Sequence, residues 1–260
     1  MNPKIVLTIG GSDSGGGAGI QADLKTFMAL KLHGCSAITC VTAQNSLGVI
    51  DVQAVELNTI KNQIKALFSD FEFKALKTGM LLNEDIIKSV SLQIEESTLP
   101  KIIDPVMVSR SGAKLLEDRA IEAYINFLFP QADIVTPNIF EANLLTGQKI
   151  ASRKDVEKAG ENILELGTNA VLIKGGGLNE LKGKDFYTDK KGLKYWFEDK
   201  KVNTSNTHGS GCTLSAAICS FRALEIPLFE AIKDAKFFTQ KAIMNSYQIG
   251  AGPGPLGHSA

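Results

Sequence analysis

The sequence has no apolar run long enough to cross a membrane, and its first residues lack the apolar core of a secretion signal. It also has no excess of charge, since 28 basic residues balance 28 acidic ones. That balance argues against a protein that coats nucleic acid or an anionic membrane, although it is compatible with a local basic pocket. We therefore expect a cytoplasmic protein that acts on small molecules and binds neither nucleic acid nor membrane.

Cysteine is scarce. The four cysteines form no C-x-x-C pair, and Cys212 and Cys219 would lie about 10 Å apart along a helix. These spacings indicate neither a zinc site nor a disulfide framework. Repeats, blocks of one charge and long linkers are also missing, while 44% of the residues are hydrophobic and can fill a sizeable core. We therefore predict a single domain over residues 1–260.

Short apolar, β-branched runs alternate with amphipathic segments along most of the chain. The pattern predicts strands at 4–9, 36–42, 75–80, 101–106, 133–138 and 170–174. It predicts helices at about 20–32, 59–69, 83–95, 117–128, 154–166 and 228–247, and two more that begin near Asn138 and near Cys212. The runs 186–188 and 193–197 predict a small β-hairpin. The predicted fold class is therefore α/β, a three-layer α/β/α sandwich with a mainly parallel central sheet.

The first predicted strand ends in a glycine-rich loop, 10–19. Within this region Gly17-Ala-Gly19-Ile-Gln-Ala22 matches the dinucleotide-binding pattern G-x-G-x-x-A. The context does not fit, because the pattern does not follow its strand directly and the second strand ends without an acidic residue to hold a ribose. No Gly-Lys-Ser or Gly-Lys-Thr follows, as a phosphate-binding P-loop would require. We expect a loop that brings its backbone close to a ligand, rather than a merely flexible one.

The segment 206–218 predicts a glycine turn that opens a helix. Gly209 and Gly211 permit the turn, and the apolar residues after Cys212 recur at helical spacing. The first amides of such a helix lack partners and favour an anion such as a phosphate. The same field favours the thiolate form of Cys212, which could take a proton from a hydroxyl. Alternatively, the glycines only make a turn and Cys212 is a small buried residue; this segment alone leaves both interpretations open.

Charged side chains follow three other predicted strands, at the sheet edge where ligands of parallel sheets bind. Asp104, and Glu141 after Asn138, offer the hard oxygen ligands that Mg²⁺ takes when it carries nucleotide phosphates, directly or through water. Each also has a plainer explanation, since Asp104 precedes a proline in a turn and Glu141 suits the first turn of any helix. Lys174 ends an otherwise apolar strand, so its charge either holds a phosphate or reaches to water.

Seven motifs follow one another in order over nearly the whole chain. They begin at Gly10, Val41, Lys77, Asp104, Thr136, Leu172 and His208, and read GGSDSGGGAGIQAD, VTAQ, KTGM, DPVM, TPNxxEA, LIKGG and HGSGCTLS. Taken together they resemble the hydroxymethylpyrimidine/phosphomethylpyrimidine kinases of thiamine biosynthesis, which belong to the ribokinase superfamily. Their joint occurrence is far more specific than any one motif. The resemblance implies a ribokinase-like fold and a kinase that uses ATP and Mg²⁺.

The resemblance also implies a reaction and a role for each matching residue. ATP would donate its γ-phosphoryl group to the hydroxymethyl oxygen of 4-amino-5-hydroxymethyl-2-methylpyrimidine, and then to the resulting monophosphate. Cys212 stands where sugar kinases of the superfamily carry an aspartate base, and Gly209, Ser210 and Gly211 would supply amides to the transferring group. Asp104 and Glu141 would organise Mg²⁺. The substrate-binding residues would be Gly11, Asp23, Gln44, Met80 and Val106, and the ATP-binding residues Asn138, Lys174, Thr207 and Gly209.

Two alternatives stay open beside this resemblance. A pyridoxal or pyridoxine kinase is the alternative enzyme, because a related subgroup shares the cysteine-bearing motif. Some members of that subgroup carry a second cysteine right after Asp-Pro-Val-Met-Val, where this chain has Ser109. A ligand sensor without catalysis is the alternative of another class, and the intact Gly-Ser-Gly-Cys turn argues against it.

Three further features follow from the comparison with the family. Ser210 stands where the family usually has threonine, which keeps the hydroxyl and loses a methyl group. The tail, 250–258, is too rich in glycine and proline for a helix or strand, and could close over the site. The family suggests a homodimer, and the sequence leaves open whether a monovalent cation assists.

Overall fold

The computed structural model describes residues 2–107 and 118–259, and in these residues the middle layer is a nine-stranded sheet. Its strands are β1 (Ile5–Asp13), β2 (His33–Gln44), β3 (Val49–Ala54), β4 (Phe73–Thr78), β5 (Lys101–Ile103), β6 (Ile134–Val135), β7 (Ala170–Lys174), β8 (Lys184–Asp189) and β9 (Lys194–Glu198). Their order is β3-β2-β1-β4-β5-β6-β7-β8-β9. The pairings from β2 through β7 are parallel, and β3, β8 and β9 pair antiparallel at the edges.

Helices cover both faces of the sheet. They are α1 (Gly19–Ala29), α2 (Leu57–Phe68), α3 (Glu84–Ile94), α4 (Asp118–Ala123), α5 (Ile139–Thr146), α6 (Arg153–Glu165), α7 (Ser210–Ala223) and α8 (Leu228–Met244). Helices α1, α7 and α8 pack on one face, and α2 to α6 on the other. Because successive strand residues point to opposite faces, Val6 of β1 belongs to one core while Leu7 and Ile9 belong to the other. The predicted α/β class, with its mainly parallel sheet and hairpin β8–β9, is confirmed.

Three predicted elements differ in the structure. The strands predicted at 101–106 and 133–138 end at Ile103 and Val135, just before segments that contain Pro105 and Pro137, because proline has no amide to pair. The helix predicted at 117–128 is α4 followed by a π-helical turn, Tyr124–Leu128, and residue 117 itself lies outside the described residues. Strand β3 was not predicted, because five of its six side chains are exposed and it has no buried alternating face.

The sheet places the site at one edge. Strands β1, β2, β4, β5, β6 and β7 run parallel, so their carboxyl ends meet where the predicted ligand-binding turns follow. Within the described ranges, no helix is both long and apolar enough to cross a membrane. The single-domain organisation over residues 1–260 stays a prediction.

Candidate active site at the carboxyl edge of the sheet

Two neighbouring cavities lie at this edge of the sheet. The first, about 260 Å³, is called the small cavity here, and the second, about 670 Å³, the large cavity. Every residue to which the sequence assigned a site role lines the small cavity: Gly11, Asp23, Gln44, Met80, Asp104, Val106, Asn138, Glu141, Lys174, Thr207, Gly209, Ser210, Gly211 and Cys212. The two cavities share Asn138, Lys174, Thr207, Ser210 and Gly211.

The glycine loop after β1 wraps around the carboxylate of Asp13. That carboxylate accepts hydrogen bonds from the amides of Gly15 and Gly17, at 2.8 and 3.0 Å. Gly19 has a φ of +56°, and a Cβ there would lie 2.4 Å from the carbonyl oxygen of Gly11. Only glycine permits so close a return of the loop onto its own strand. The loop backbone therefore forms part of the cavity wall.

Helix α7 begins against that loop. Gly209 has a φ of +83°, and a Cβ there would lie 1.8 Å from the carbonyl oxygen of Gly17. No side chain caps the helix, which leaves amides of its first turn available to a ligand. The amide of Ser210 donates to the Thr207 carbonyl oxygen at 3.2 Å. The amide of Gly211, one step further into the helix, is therefore better placed to bind an anion.

Cys212 is half-buried in the wall of the small cavity. Burial raises the pKa of its thiol to about 11, although the Lys77 cation and a hydrogen bond from the Gly19 amide act to lower it. The net shift is therefore opposite to the one that the helix field alone would produce. The free energy needed to remove water from around a thiolate exceeds the stabilisation that the helix field and the Lys77 cation provide. The raised pKa favours the thiol form of Cys212 in the free cavity.

A buried ion pair also borders the small cavity. Lys77 Nζ lies 2.8 Å from Asp23 Oδ1, and the two side chains are 0% and 2% exposed. The other oxygen of Asp23 accepts a hydrogen bond from the Thr8 hydroxyl at 2.6 Å. Asp23, expected near the substrate, therefore faces the cavity with both oxygens already engaged.

Lys174 reaches across the edge of the sheet. Its Nζ lies 2.7 Å from Asp104 Oδ1, and its side chain is 14% exposed. Asp104 also accepts hydrogen bonds from the hydroxyls of Thr136 and Ser215, at 3.3 and 3.0 Å. A Cβ on Gly211 would lie 3.2 Å from Lys174 Nζ. The ammonium group is thus held between the carboxylate and the first turn of α7.

Glu141 and Asn138 hold each other at the start of α5. The Asn138 amide donates to Glu141 Oε2 at 2.8 Å, and the Glu141 amide donates to Asn138 Oδ1 at 2.9 Å, which is a capping box. Glu141 Oε1 also accepts a bond from the Met107 amide at 3.3 Å. Burial raises the pKa of Glu141 above its ordinary value, against the opposing influence of Lys174.

The carboxylates of Asp104 and Glu141 suit Mg²⁺ only if other ligands complete the shell. Over residues 2–107 and 118–259, no group of three or more Asp, Glu, His or Cys side chains is placed to enclose a metal ion. Mg²⁺ usually keeps several waters and binds through one or two carboxylates together with substrate phosphates. The two carboxylates therefore fit an ion whose remaining ligands are waters and phosphate oxygens.

The remaining predicted substrate-binding residues form the opposite side of the small cavity. Gln44 ends β2, and Val106 follows β5. A Cβ on Gly11 would lie 2.9 Å from Met80 Cε, so the glycine leaves room for the methionine. The unpredicted strand β3 adds two valines to the lining, Val49 and Val52. Ser109 stands where some pyridoxal kinases carry a second cysteine, and it lies outside the described residues.

An ion-pair network from α8 borders the large cavity. Lys236 Nζ lies 2.7 Å from Asp185 Oδ2 and 2.9 Å from Asp199 Oδ2. The other oxygen of Asp185 accepts a hydrogen bond from the Gly175 amide at 3.0 Å, so the network fixes the turn that follows Lys174. Three more lysines line this cavity, Lys182, Lys200 and Lys201. A polyanionic ligand suits such a lining.

The tail connects two parts of the site. The Gly252 amide donates to Ser46 Oγ at 3.1 Å, in the turn that follows Gln44. His258 Nε2 lies 2.8 Å from Thr213 Oγ1 in the first turn of α7. Burial lowers the pKa of His258 to about 4. The tail is therefore packed against the site in this structure.

Sequence reasoning assigned no role to three residues of the small cavity, Asp13, Lys77 and His208. A signal for Lys77 was present, since a lysine inside the apolar run 75–78 needs a buried partner. Asp13 and His208 lie in the glycine motifs, but 195 positions separate them. Nothing in the sequence pairs these two residues.

Solved structures similar to this chain indicate its class. The structure of an ADP complex of Bacillus subtilis pyridoxal kinase matches 99% of this chain and 98% of its own, with a TM-score of 0.92 and 37% identity. A crystal structure of phosphomethylpyrimidine kinase from Clostridium difficile matches 92% of this chain and 99% of its own, with a TM-score of 0.82 and 41% identity. The fold is ribokinase-like, and the chain is an ATP-dependent kinase.

Sequence comparison then identifies the family. The family model described as phosphomethylpyrimidine kinase matches residues 13–257. The hydroxymethylpyrimidine/phosphomethylpyrimidine kinase of Synechococcus elongatus is 48% identical over 259 residues, which cover 99% of this chain and 98% of that protein. The chain belongs to the phosphomethylpyrimidine kinase family, and the resemblance drawn from the seven motifs is confirmed.

Proposed function

We propose that this chain transfers the γ-phosphoryl group of ATP to 4-amino-5-hydroxymethyl-2-methylpyrimidine, and then to its monophosphate, in thiamine biosynthesis. The observation that carries the proposal is the meeting of the small and large cavities at the first turn of α7. Phosphoryl transfer needs an acceptor and a donor aligned on two sides of one set of stabilising groups. Residues shared by both cavities supply such a set: Asn138, Lys174, Thr207, Ser210 and Gly211.

The small cavity is our proposed acceptor site. Its volume of about 260 Å³ suits one small aromatic ring better than a nucleotide. Met80 and Val106 would pack on that ring, and Gln44 would hydrogen-bond its edge. Gly11 and Asp23 would lie near the hydroxymethyl group and the ring edge.

The large cavity is our proposed nucleotide site. Its lysines favour a polyanion, and its inner end reaches Lys174, Asn138 and Thr207, where the terminal phosphates would lie. The turn Gly209–Gly211 would donate amides to the transferring group, and we expect the largest share from Gly211. Such preorganised donors stabilise charge without having to reorient during the reaction.

Cys212 is our proposed acceptor of the hydroxyl proton. Burial raises the pKa of the thiol to about 11 although the Lys77 cation acts to lower it, so Cys212 would have to lose its own proton before it could accept one, and only its small thiolate fraction would act as the base. In the second transfer the acceptor is a phosphate monoester that is already anionic near neutral pH, so no base is needed.

Asp104 and Glu141 would hold a magnesium ion that enters with the nucleotide, directly or through water. When bound, such an ion neutralises charge on the phosphates. Lys174, already paired with Asp104, would add its charge on the same side. A requirement for a monovalent cation is a separate part of the proposal, and rates in potassium and in tetramethylammonium buffers would test it.

We further propose a cytoplasmic homodimer that binds neither nucleic acid nor membrane. Strand β3 supports the dimer, because this edge strand and its turn expose Leu47 and Ile50 at 73% and 80%. An open strand edge with exposed apolar side chains favours pairing with another chain. Light scattering on the purified protein would measure the mass in solution.

Release of ADP from ATP by the purified protein tests the proposed reaction. The acceptors are hydroxymethylpyrimidine, its monophosphate, pyridoxine and pyridoxal, with phosphorylated products identified by mass spectrometry. We expect turnover of both pyrimidines. Turnover of pyridoxal or pyridoxine alone would instead support the second candidate, which the likeness to pyridoxal kinase structures favours. Binding of these compounds without any turnover would support the non-catalytic sensor.

A further inference from the structure

His208 lies between the two loops that build the small cavity. Its backbone amide donates to the Gly254 carbonyl oxygen at 3.1 Å, and its side chain is 17% exposed. Its ring nitrogen Nε2 lies 2.9 Å from Asp13 Oδ2 and 3.4 Å from Gln44 Nε2. The proposed reaction as described so far gives this residue no task, although it contacts the side chain that would bind the acceptor.

The position of one proton on His208 follows from Asp13. Burial acts to raise the pKa of Asp13, but hydrogen bonds from His208, Ala18 and Gly15 outweigh it and leave this pKa below its ordinary value. Asp13 is therefore ionised near neutral pH and can only accept hydrogen bonds. At 2.9 Å, Nε2 of His208 must carry a proton and donate it, in either charge state of the ring.

The hydroxyl proton of Thr42 is committed in a similar way. Thr42 Oγ1 lies 2.9 Å from the carbonyl oxygen of Ser12, which can only accept, so the hydroxyl donates there. Toward Gln44 Oε1, 3.2 Å away, Thr42 then offers a lone pair. The Gln44 amide thus faces, on its His208 side, an N–H whose proton goes mainly to Asp13, and on its Thr42 side an acceptor.

We propose that His208 and Thr42 fix the working orientation of the Gln44 amide, with its carbonyl oxygen toward His208 and its NH₂ group toward Thr42, and that this orientation selects the acceptor. The structure has the opposite orientation, in which N–H faces N–H at His208 and, because the Thr42 proton goes to Ser12, oxygen faces a lone pair at Thr42. A half-turn of the amide turns the Thr42 contact into a hydrogen bond. At His208 it removes the contact between two N–H groups and places there an oxygen that shares the Nε2 proton with Asp13 as a second, weaker acceptor. The two ends of an amide have nearly the same shape, so only such neighbours distinguish them.

This inference rests on the proposed function and adds a basis for its specificity. The aminopyrimidine presents an N–H donor beside a ring-nitrogen acceptor, and a fixed amide can match that order of groups. The 4-oxo analogue of the same size presents an acceptor beside an N–H donor, which is the reverse. A fixed amide discriminates between the two rings, whereas an amide free to turn suits either. His208 is therefore a positioning residue that acts through Gln44.

The test compares kcat/KM for the 4-amino substrate and its 4-oxo analogue. We expect the wild-type protein to favour the amino compound by at least about 100-fold, because a site built to pair polar groups rejects an analogue that leaves them unpaired. In His208→Phe this ratio should fall by about tenfold, through the KM of the acceptor, with the KM of ATP unchanged. His208→Gln should restore the ratio, since its amide nitrogen reaches the position of Nε2. His33→Phe is the matched control, because His33 is exposed at the opposite end of β2.

An unchanged ratio in folded His208→Phe would overturn the inference. If that variant does not fold, Thr42→Val replaces it, since valine keeps the shape and removes the acceptor on the other side of the amide. Its ratio should fall in the same direction, and an unchanged value would again overturn the inference. A wild-type protein that fails to phosphorylate the amino compound would instead refute the proposed function, so the two failures are distinguishable.

Discussion

The small and large cavities are bordered by ion pairs of different kinds. Beside the small cavity, Lys77 and Asp23 are shut away from water, with exposures of 0% and 2%. Beside the large cavity, Lys236 divides its contacts between Asp185 and Asp199, and Asp199 is 28% exposed. A charge without water depends on its one partner, whereas a charge with two partners and some hydration is less dependent on either. We infer that the acceptor side is rigid and intolerant of change, and that the nucleotide side is more forgiving.

Loss of the Cys212 sulfur should have the largest effect on the rate of phosphorylation. We expect Cys212→Ala to slow phosphorylation of the alcohol by about 1,000-fold, because a positioned base is lost, and phosphorylation of the monophosphate by no more than about tenfold. Single-turnover rates with each acceptor measure both effects. Cys219→Ala, on the same helix but buried in the core, is the matched control. Equal losses with the two acceptors would mean that Cys212 does not remove a proton.

Breaking the buried ion pair between Lys77 and Asp23 should have the largest effect on stability. We expect Lys77→Met to lower the free energy of unfolding by about 3–5 kcal/mol, because the Asp23 carboxylate is left buried without a cation. Urea unfolding measures the loss. The double variant Lys77→Met/Asp23→Leu should recover most of it, since an apolar pair can replace a buried ion pair at little cost. A loss below about 1 kcal/mol in Lys77→Met would contradict the inference that the acceptor side is intolerant of change.

The network beside the large cavity should tolerate the same change better. We expect Lys236→Met to cost about 1–2 kcal/mol of unfolding free energy, because water can reach Asp199. The turn at Gly175 should also loosen, which would raise the KM of ATP several-fold and leave the KM of the acceptor unchanged. Urea unfolding and steady-state kinetics check both. A loss of unfolding free energy equal to that of Lys77→Met would show that hydration does not make the Lys236 network more tolerant than the Lys77–Asp23 pair.

The burial of His258 in the tail predicts a smaller effect on stability that depends on pH. The folded protein lowers the pKa of His258 to about 4, from an ordinary value near 6.5. The stability gained from the neutral ring is therefore fully present above about pH 6.5 and is lost as the pH falls toward 4. Between pH 7 and pH 5, the wild-type protein should lose about 1–2 kcal/mol more unfolding free energy than His258→Gln. Parallel pH curves for the two proteins would contradict this.

The sequence predicted which residues lie together better than it predicted the pKa of Cys212. Residues as far apart as Gly11 and Cys212 line one cavity because the carboxyl ends of parallel strands meet at one edge, which alternation of strands and helices reveals. The raised pKa of Cys212 could not be predicted, because it depends on how much water the packed elements exclude. A helix start is visible in the sequence, but the extent of desolvation around a sulfur is not.

Other features were out of reach for related reasons. Strand β3 has exposed side chains on both faces, so it lacks the alternation by which strands are recognised. The contact of His208 with Asp13 joins positions 195 apart, and that of Lys236 with Asp185 joins a helix to a strand. Single residues carry no information about such distant partners.

The tail also has a consequence for the order in which the protein is made. Residues 250–258 are synthesised after the elements they connect, yet they hold the turn at Ser46 and the start of α7 at Thr213. On the ribosome, strands β1 to β9 leave the exit tunnel before this segment does. The contacts with Ser46 and Thr213 would therefore form only after residue 258 has emerged, later than the strands that carry most of the cavity wall.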